Sequence, residues 1–152
     1  MTAQPTIPTI VRTNLVLEVA QREAIRQSAR HAYPNEFCGL LLGKRVGQNV
    51  IVSQVVNTPN VAPIADRTSR YEINPGLLLA WEHEAEKEGL KIVGMVHSYP
   101  EHAAEPSEQD FARAWPGYIY LIAGVHHGAV TGLAAWQFCE STKEFERVAM
   151  GE

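Results

Sequence analysis

The chain has 152 residues, enough for one compact domain that buries roughly 68–70% of its unfolded surface without needing a disulfide or a metal to fold. Thirteen Lys and Arg against seventeen Asp and Glu give a net charge of −4, and no basic run exists that could neutralise a phosphate backbone or an anionic membrane, which argues against both as partners. Cys38 and Cys139 lie far apart and outside any CxxC pair, so a disulfide framework and a thiolate zinc site are poorly supported and a reducing, cytoplasmic setting is expected.

Residues 1–13, rich in Pro and Thr and lacking the apolar core of a signal peptide, are expected to be frayed, with 14–150 forming a single domain. NLVLEVA reads as a short strand, and the stretch from about Gln21 to Ala32 as a helix that stops before Tyr33-Pro34. EFCGLLLGKRV and NVIVSQVVNT are apolar and β-branched, with Gly47-Gln48 between them as a hairpin turn. TPNVAPIADRTSR is a polar loop, broken by two prolines and free to move, and RYEI after it reads as a further short strand. NPGLLLAWEHEAEKEG is a helix with Leu77, Leu78, Trp81 and Ala85 toward one side, ending at Gly89.

LKIVGMVHSY is the most strand-like run, apolar enough for the centre of a sheet, and Pro100 ends its ladder, so His97 sits at a strand's end. Pro106-Ser107 starts a short helix through about Trp115, and GYIYLIAGV and AVTGLAAWQF are strands joined by a tight His126-His127-Gly128 turn. The order β-α-β-β-β-α-β-α-β-β predicts an α/β fold: a mixed, largely antiparallel curved sheet with helices on its faces.

Chemistry-bearing residues crowd into HSYPEHAAEPSEQD, from His97 to Asp110. On a strand, positions 97 and 99 leave the same face and could meet one ion, while Ser98 points the other way. Asp110, one helical turn in from Ser107, could close a third side and leave a fourth position for water. Glu36, at the head of a separate strand, could take that water's proton. Each residue also has a plainer reading. Ser-x-x-Asp before Phe111 is close to a capping box that needs no metal, His97 can be a buried histidine hydrogen-bonded at a strand end, and Glu36 can be an exposed residue leading into its strand. His31 and His83 have no spaced partner, His126 and His127 occupy a turn, and His102 lies in a flexible stretch between two prolines. Cys38 reads as a small buried hydrophobe, and Trp81, Trp115 and Trp136 as core.

Glu36-Phe37-Cys38-Gly39-Leu40-Leu41-Leu42-Gly43, then Val96-His97-Ser98-Tyr99-Pro100, then Pro106-Ser107 and Asp110 resemble the JAMM (MPN-plus) metalloprotease motif. That family writes Glu, then His-Ser/Thr-His-Pro, six residues, Ser, two residues, Asp, and the spacing here matches throughout; RYEINP and AWPGYIYLI are similar to the small bacterial members. The resemblance implies the JAMM/MPN fold, of cytidine-deaminase-like architecture, with Glu36 as general acid/base, His97 and Asp110 as zinc ligands, and Ser107 as the hydroxyl that stabilises the tetrahedral oxyanion. The family's second histidine falls on Tyr99, a phenol that must lose its proton before ligating, at a cost of roughly 4 kcal/mol at neutral pH. His102 is the candidate to swing in as the replacement.

The resemblance therefore implies a zinc-dependent peptidase or isopeptidase acting after the C-terminal Gly-Gly of a ubiquitin-like or sulfur-carrier protein. The alternative is a binding module for such a tail, with the ring of Tyr99 filling the metal cavity. A nucleobase deaminase would need PCxxC ligands, which are absent from the sequence.

Overall fold

The structure is a computed structural model that describes residues 12–152; the readings made for 1–11 lie outside the described residues. The chain runs through β1 (Asn14–Val16), α1 (Val19–Ala32), β2 (Cys38–Val46), β3 (Asn49–Thr58), a 3₁₀ turn (Ile64–Asp66), α2 (Pro75–Lys87), β4 (Lys91–Pro100), α3 (Glu108–Arg113), β5 (Ile119–His126), β6 (Ala129–Cys139) and β7 (Glu144–Gly151). The β2–β3 hairpin turns at Gly47, whose φ of 61° is the left-handed value that glycine adopts without strain. Helix α1 starts at Val19, two residues earlier than expected, because Glu18 and Gln21 cap its first turn reciprocally. Asn74 caps α2 by accepting the Gly76 N–H at 2.8 Å, and Pro75 fills the first turn, where its missing N–H costs nothing.

The α/β class expected from the sequence holds, and four of the seven strand pairings are antiparallel. The sheet is nonetheless not an open curved one. It closes into a barrel in the order β1-β3-β2-β4-β5-β6-β7, because β1 pairs in parallel with both β3 and β7. The element count shifts as well: RYEI forms no strand, and Glu144–Gly151 supplies the seventh instead. In β7 only Val148 is buried, so the alternating charge of EFERVAMG gave no period-two apolar signal. Helix α3 ends at Arg113, short of the expected Trp115.

The helices pack against different parts of the barrel. Ile25 of α1 joins a cluster with Leu15, Leu41, Val50, Val96 and Leu121, while Leu78, Trp81 and Ala85 of α2 cover Leu40, Leu42 and Ile92. Strand β4 lies between β2 and β5, as its apolar run requires, and pairs His97 with Cys38 on one side and Ile122 on the other. That places the C-terminal end of β4, and the loop that follows it, at one mouth of the barrel.

Candidate functional site

Three acid and imidazole groups from separate parts of the chain meet at the end of β4. Glu36, His97 and Asp110 are 4%, 2% and 5% exposed. Nδ1 of His97 lies 3.3 Å from Glu36 Oε1 and 3.1 Å from the Ser98 carbonyl oxygen, and Nε2 lies 3.2 Å from Asp110 Oδ1. Burial alone would lower the pKa of His97, but Asp110 and then Glu36 outweigh it and raise the value to about 10. Burial pushes the Asp110 carboxyl up, and the stronger pull of His97 and Ser107 leaves it below its ordinary value.

Main-chain stitching fixes each of these groups. Phe37 N–H donates to Ser98 Oγ at 2.7 Å and Ser98 N–H to the Phe37 carbonyl at 3.0 Å, so the fully buried Ser98, facing away from His97, ties the Glu36 segment to β4. Glu36 N–H donates to the Arg67 carbonyl at 2.7 Å. Asn60 uses its whole side-chain capacity: Nδ2 donates to the Glu36 and Arg70 carbonyls at 3.2 and 3.0 Å, and Oδ1 accepts from Ala62 and Glu72 N–H at 3.1 and 3.2 Å. The loop expected to move is thus bonded across to the site.

The capping reading of Ser107 and Asp110 holds. Ser107 N–H and Oγ–H donate to Asp110 Oδ2 at 2.7 and 3.1 Å, and Ser107 Oγ accepts the Asp110 N–H at 3.2 Å. The cap leaves Oδ1 free to face His97. Tyr71 stacks on the His97 ring, with centroids 4.7 Å apart and an interplanar angle of 25°. Burial drives its phenol far above the ordinary pKa, with Asp110 adding to the shift.

Glu36, Tyr71, Ser107 and Asp110 line one cleft, together with Leu78, Met95, Arg113 and Trp115. Trp115, expected in the core, is 64% exposed at this cleft. Trp81 and Trp136 are half-buried, the latter donating Nε1–H to the Ala104 carbonyl at 3.0 Å.

Tyr99 is half-buried and stacks on His102, with ring centroids 4.1 Å apart. Burial, then the charges of Glu36, Asp110 and Glu108, raise its pKa and keep the phenol protonated. The stretch expected to be flexible is instead pinned: Glu101 N–H donates to the Val125 carbonyl at 2.5 Å, and Tyr33 Oη–H donates to Glu101 Oε1 at 2.5 Å. Gly124 permits that close approach, since a Cβ there would lie 2.8 Å from the His102 oxygen and the Ala104 nitrogen. The remaining candidates stay outside the site. His31 and His83 are exposed on α1 and α2, His126 Nδ1 bonds Thr131 Oγ1 at 2.8 Å, and the Cys38 thiol is buried against Thr58.

A zinc site takes three protein donors and keeps a fourth position for water. His97 Nε2 is a buried nitrogen without a well-aligned hydrogen-bond partner, aimed at Asp110 Oδ1, and these two suit a metal. Tyr99, which the resemblance puts at the third position, is a protonated phenol, and among the described residues no group of three His, Cys, Asp or Glu side chains is arranged to hold an ion. The donor set therefore falls one short of zinc's usual three.

Sequence reasoning missed Tyr71, Asn60 and the tie made by Ser98. Tyr71 lay within RYEINP, already noted as similar to bacterial members, but nothing in its spacing announced a stack on His97.

Residues 18–139 match the profile of the Prok-JAB family, prokaryotic homologues of the JAB domain. A desampylase from Haloferax volcanii is 36% identical over 115 residues, covering 72% of this chain and 80% of that protein. A probable TtuB-protein conjugate cleaving protease from Thermus thermophilus is 31% identical over 109 residues, covering 72% of this chain and 66% of that protein. Both relatives are hydrolytic enzymes of the peptidase or isopeptidase kind. Among solved structures, a protein from Desulfitobacterium hafniense superposes with a TM-score of 0.76 at 26% identity, covering 90% of this chain and 91% of that one. One from Salinibacter ruber gives 0.66 at 30% identity with the same coverage of 90% and 91%. A JAB1/MPN domain protein from Archaeoglobus fulgidus shares the fold, with a TM-score of 0.54 at 19% identity over 92% of this chain and 100% of that one. On the match across most of its length and the identity to curated relatives, this chain belongs to the Prok-JAB family of JAB-domain proteins.

Proposed function

We propose that the chain is a JAB-type peptidase or isopeptidase of the cytoplasm that hydrolyses the bond following the C-terminal Gly-Gly of a ubiquitin-like or sulfur-carrier protein. The observation that carries this reading is the convergence of Glu36, Ser107 and Asp110 on one cleft against His97, at the motif's spacing. The conjugate-cleaving relative from Thermus thermophilus supports the substrate class. In this reading Glu36 accepts the proton of the attacking water and returns it to the leaving amine. Ser107 donates to the carbonyl oxygen as the carbon becomes tetrahedral. His97 and Asp110 are the positions at which zinc would be held, and Tyr99 is the position at which the set falls short.

Tyr99 itself favours a second reading, a domain that grips the same tail without cutting it. Zinc per chain, measured by mass spectrometry on chelator-free protein and on Tyr99→His, together with cleavage of a Gly-Gly fusion by each, separates the two. Near one zinc and cleavage in both proteins supports the hydrolase as it stands. Zinc and cleavage in Tyr99→His alone makes the native chain the binding form. A zinc-loaded Tyr99→His protein that leaves the fusion intact overturns the proposed reaction.

A further inference from the structure

We propose that Tyr71 is a hydroxyl donor to the substrate's carbonyl oxygen, acting in the same cleft as Ser107; this rests on the hydrolase reading above. The case begins with what Ser107 is already doing. Its Oγ–H donates to Asp110 Oδ2 and its Oγ accepts the Asp110 N–H, so its proton is held by a carboxylate at the start of α3. Tyr71 lines the same cleft, and its hydroxyl takes no part in the bonds that join Ser107 to Asp110. A phenol, whose ordinary pKa is about 10, carries its proton at neutral pH and can donate without disturbing the Ser107–Asp110 pair.

Tyr71 is also firmly held at the cleft. Asn60 grips the residues on either side of it, through the Arg70 carbonyl and the Glu72 N–H. Arg113, at the end of α3, donates Nη1–H to the Tyr71 carbonyl at 3.0 Å, which ties this residue to the helix that carries Asp110. Its ring lies on His97. Main chain, neighbouring helix and stacked ring together fix the phenol before substrate arrives, and preorganisation of this kind makes an oxyanion donor effective.

In the reaction, water adds to the carbonyl carbon and gives a proton to Glu36 while the π electrons move onto the carbonyl oxygen. The Tyr71 hydroxyl donates a hydrogen bond to that oxygen and keeps its own proton. Collapse re-forms the C=O bond and breaks the C–N bond, and the nitrogen leaves with the proton from Glu36.

The test uses the full chain and two peptides ending in Gly-Gly: one amide-linked to lysine, and its phosphinate isostere, which places a tetrahedral anionic centre at the scissile position. Calorimetric binding is measured for the native protein and for Tyr71→Phe, which keeps the stacked ring and removes only the hydroxyl. Tyr71→Phe should bind the phosphinate at least 10-fold more weakly and the amide within twofold of native. Equal loss for both peptides, or no loss for the phosphinate, overturns the donor role and leaves the hydrolase reading standing. A native protein that binds neither peptide overturns the hydrolase reading, and the role of Tyr71 with it.

Discussion

His97 and Tyr99 leave the same strand two residues apart, yet one is sealed between two carboxylates and the other stands half-buried against His102. The surroundings of position 97 are coupled: Glu36 and Asp110 face the ring, Ser107 caps Asp110, and Ser98 ties the Glu36 segment to β4. Among the described residues, the ring of Tyr99 stacks on His102 and its main chain pairs with Gly124 of β5. A substitution at 99 therefore leaves the rest of the motif intact, whereas one at 97 strands two buried carboxylates. This asymmetry separates a residue on which two buried carboxylates depend from one that can change without disturbing them.

The sharpest way to break the comparison is at its sealed end. His97→Ala leaves Glu36 and Asp110 buried without a counter-charge and should lower unfolding stability by about 3–5 kcal/mol, read by urea titration at neutral pH. A loss under about 1 kcal/mol, the scale of an exposed ion pair, would show that the carboxylates do not depend on the ring. Ser98→Ala tests the stitch behind the site. It orphans the buried Phe37 N–H and should cost about 1–3 kcal/mol by the same titration. Tyr99→Phe probes the loose end and should change stability by no more than about 0.5 kcal/mol, since the ring remains on His102. A cost comparable to that of Ser98→Ala would place position 99 within the coupled core.

The motif was legible because its spacing is written into consecutive residues: Ser107 and Asp110 sit one turn apart, and His97 ends an unmistakably apolar strand. The helices were legible from Asn74-Pro75 and from the Leu77–Ala85 face. What stayed hidden depends on chain segments brought together only by folding. Asn60 looks like an ordinary loop polar residue until three of its four bonds are traced to Glu36 and the residues around Tyr71, the fourth going to Ala62. Strand β7 was hidden for a different reason. Its backbone pairs with β6 and β1, but its side chains are mostly exposed, so no hydrophobic period marked it.

The strand that closes the barrel, β1, is three residues long, and its two partners lie far along the chain at β3 and β7. Contacts between such distant segments carry a high loop-closure cost, so closure is expected late in folding, after the β2–β3 and β5–β6 hairpins have formed locally. Until Leu15 is seated, the flanks of β3 and β7 present unpaired backbone, the surface through which partly folded chains associate. The shortest of the described strands is thus the one that covers these edges as the chain assembles.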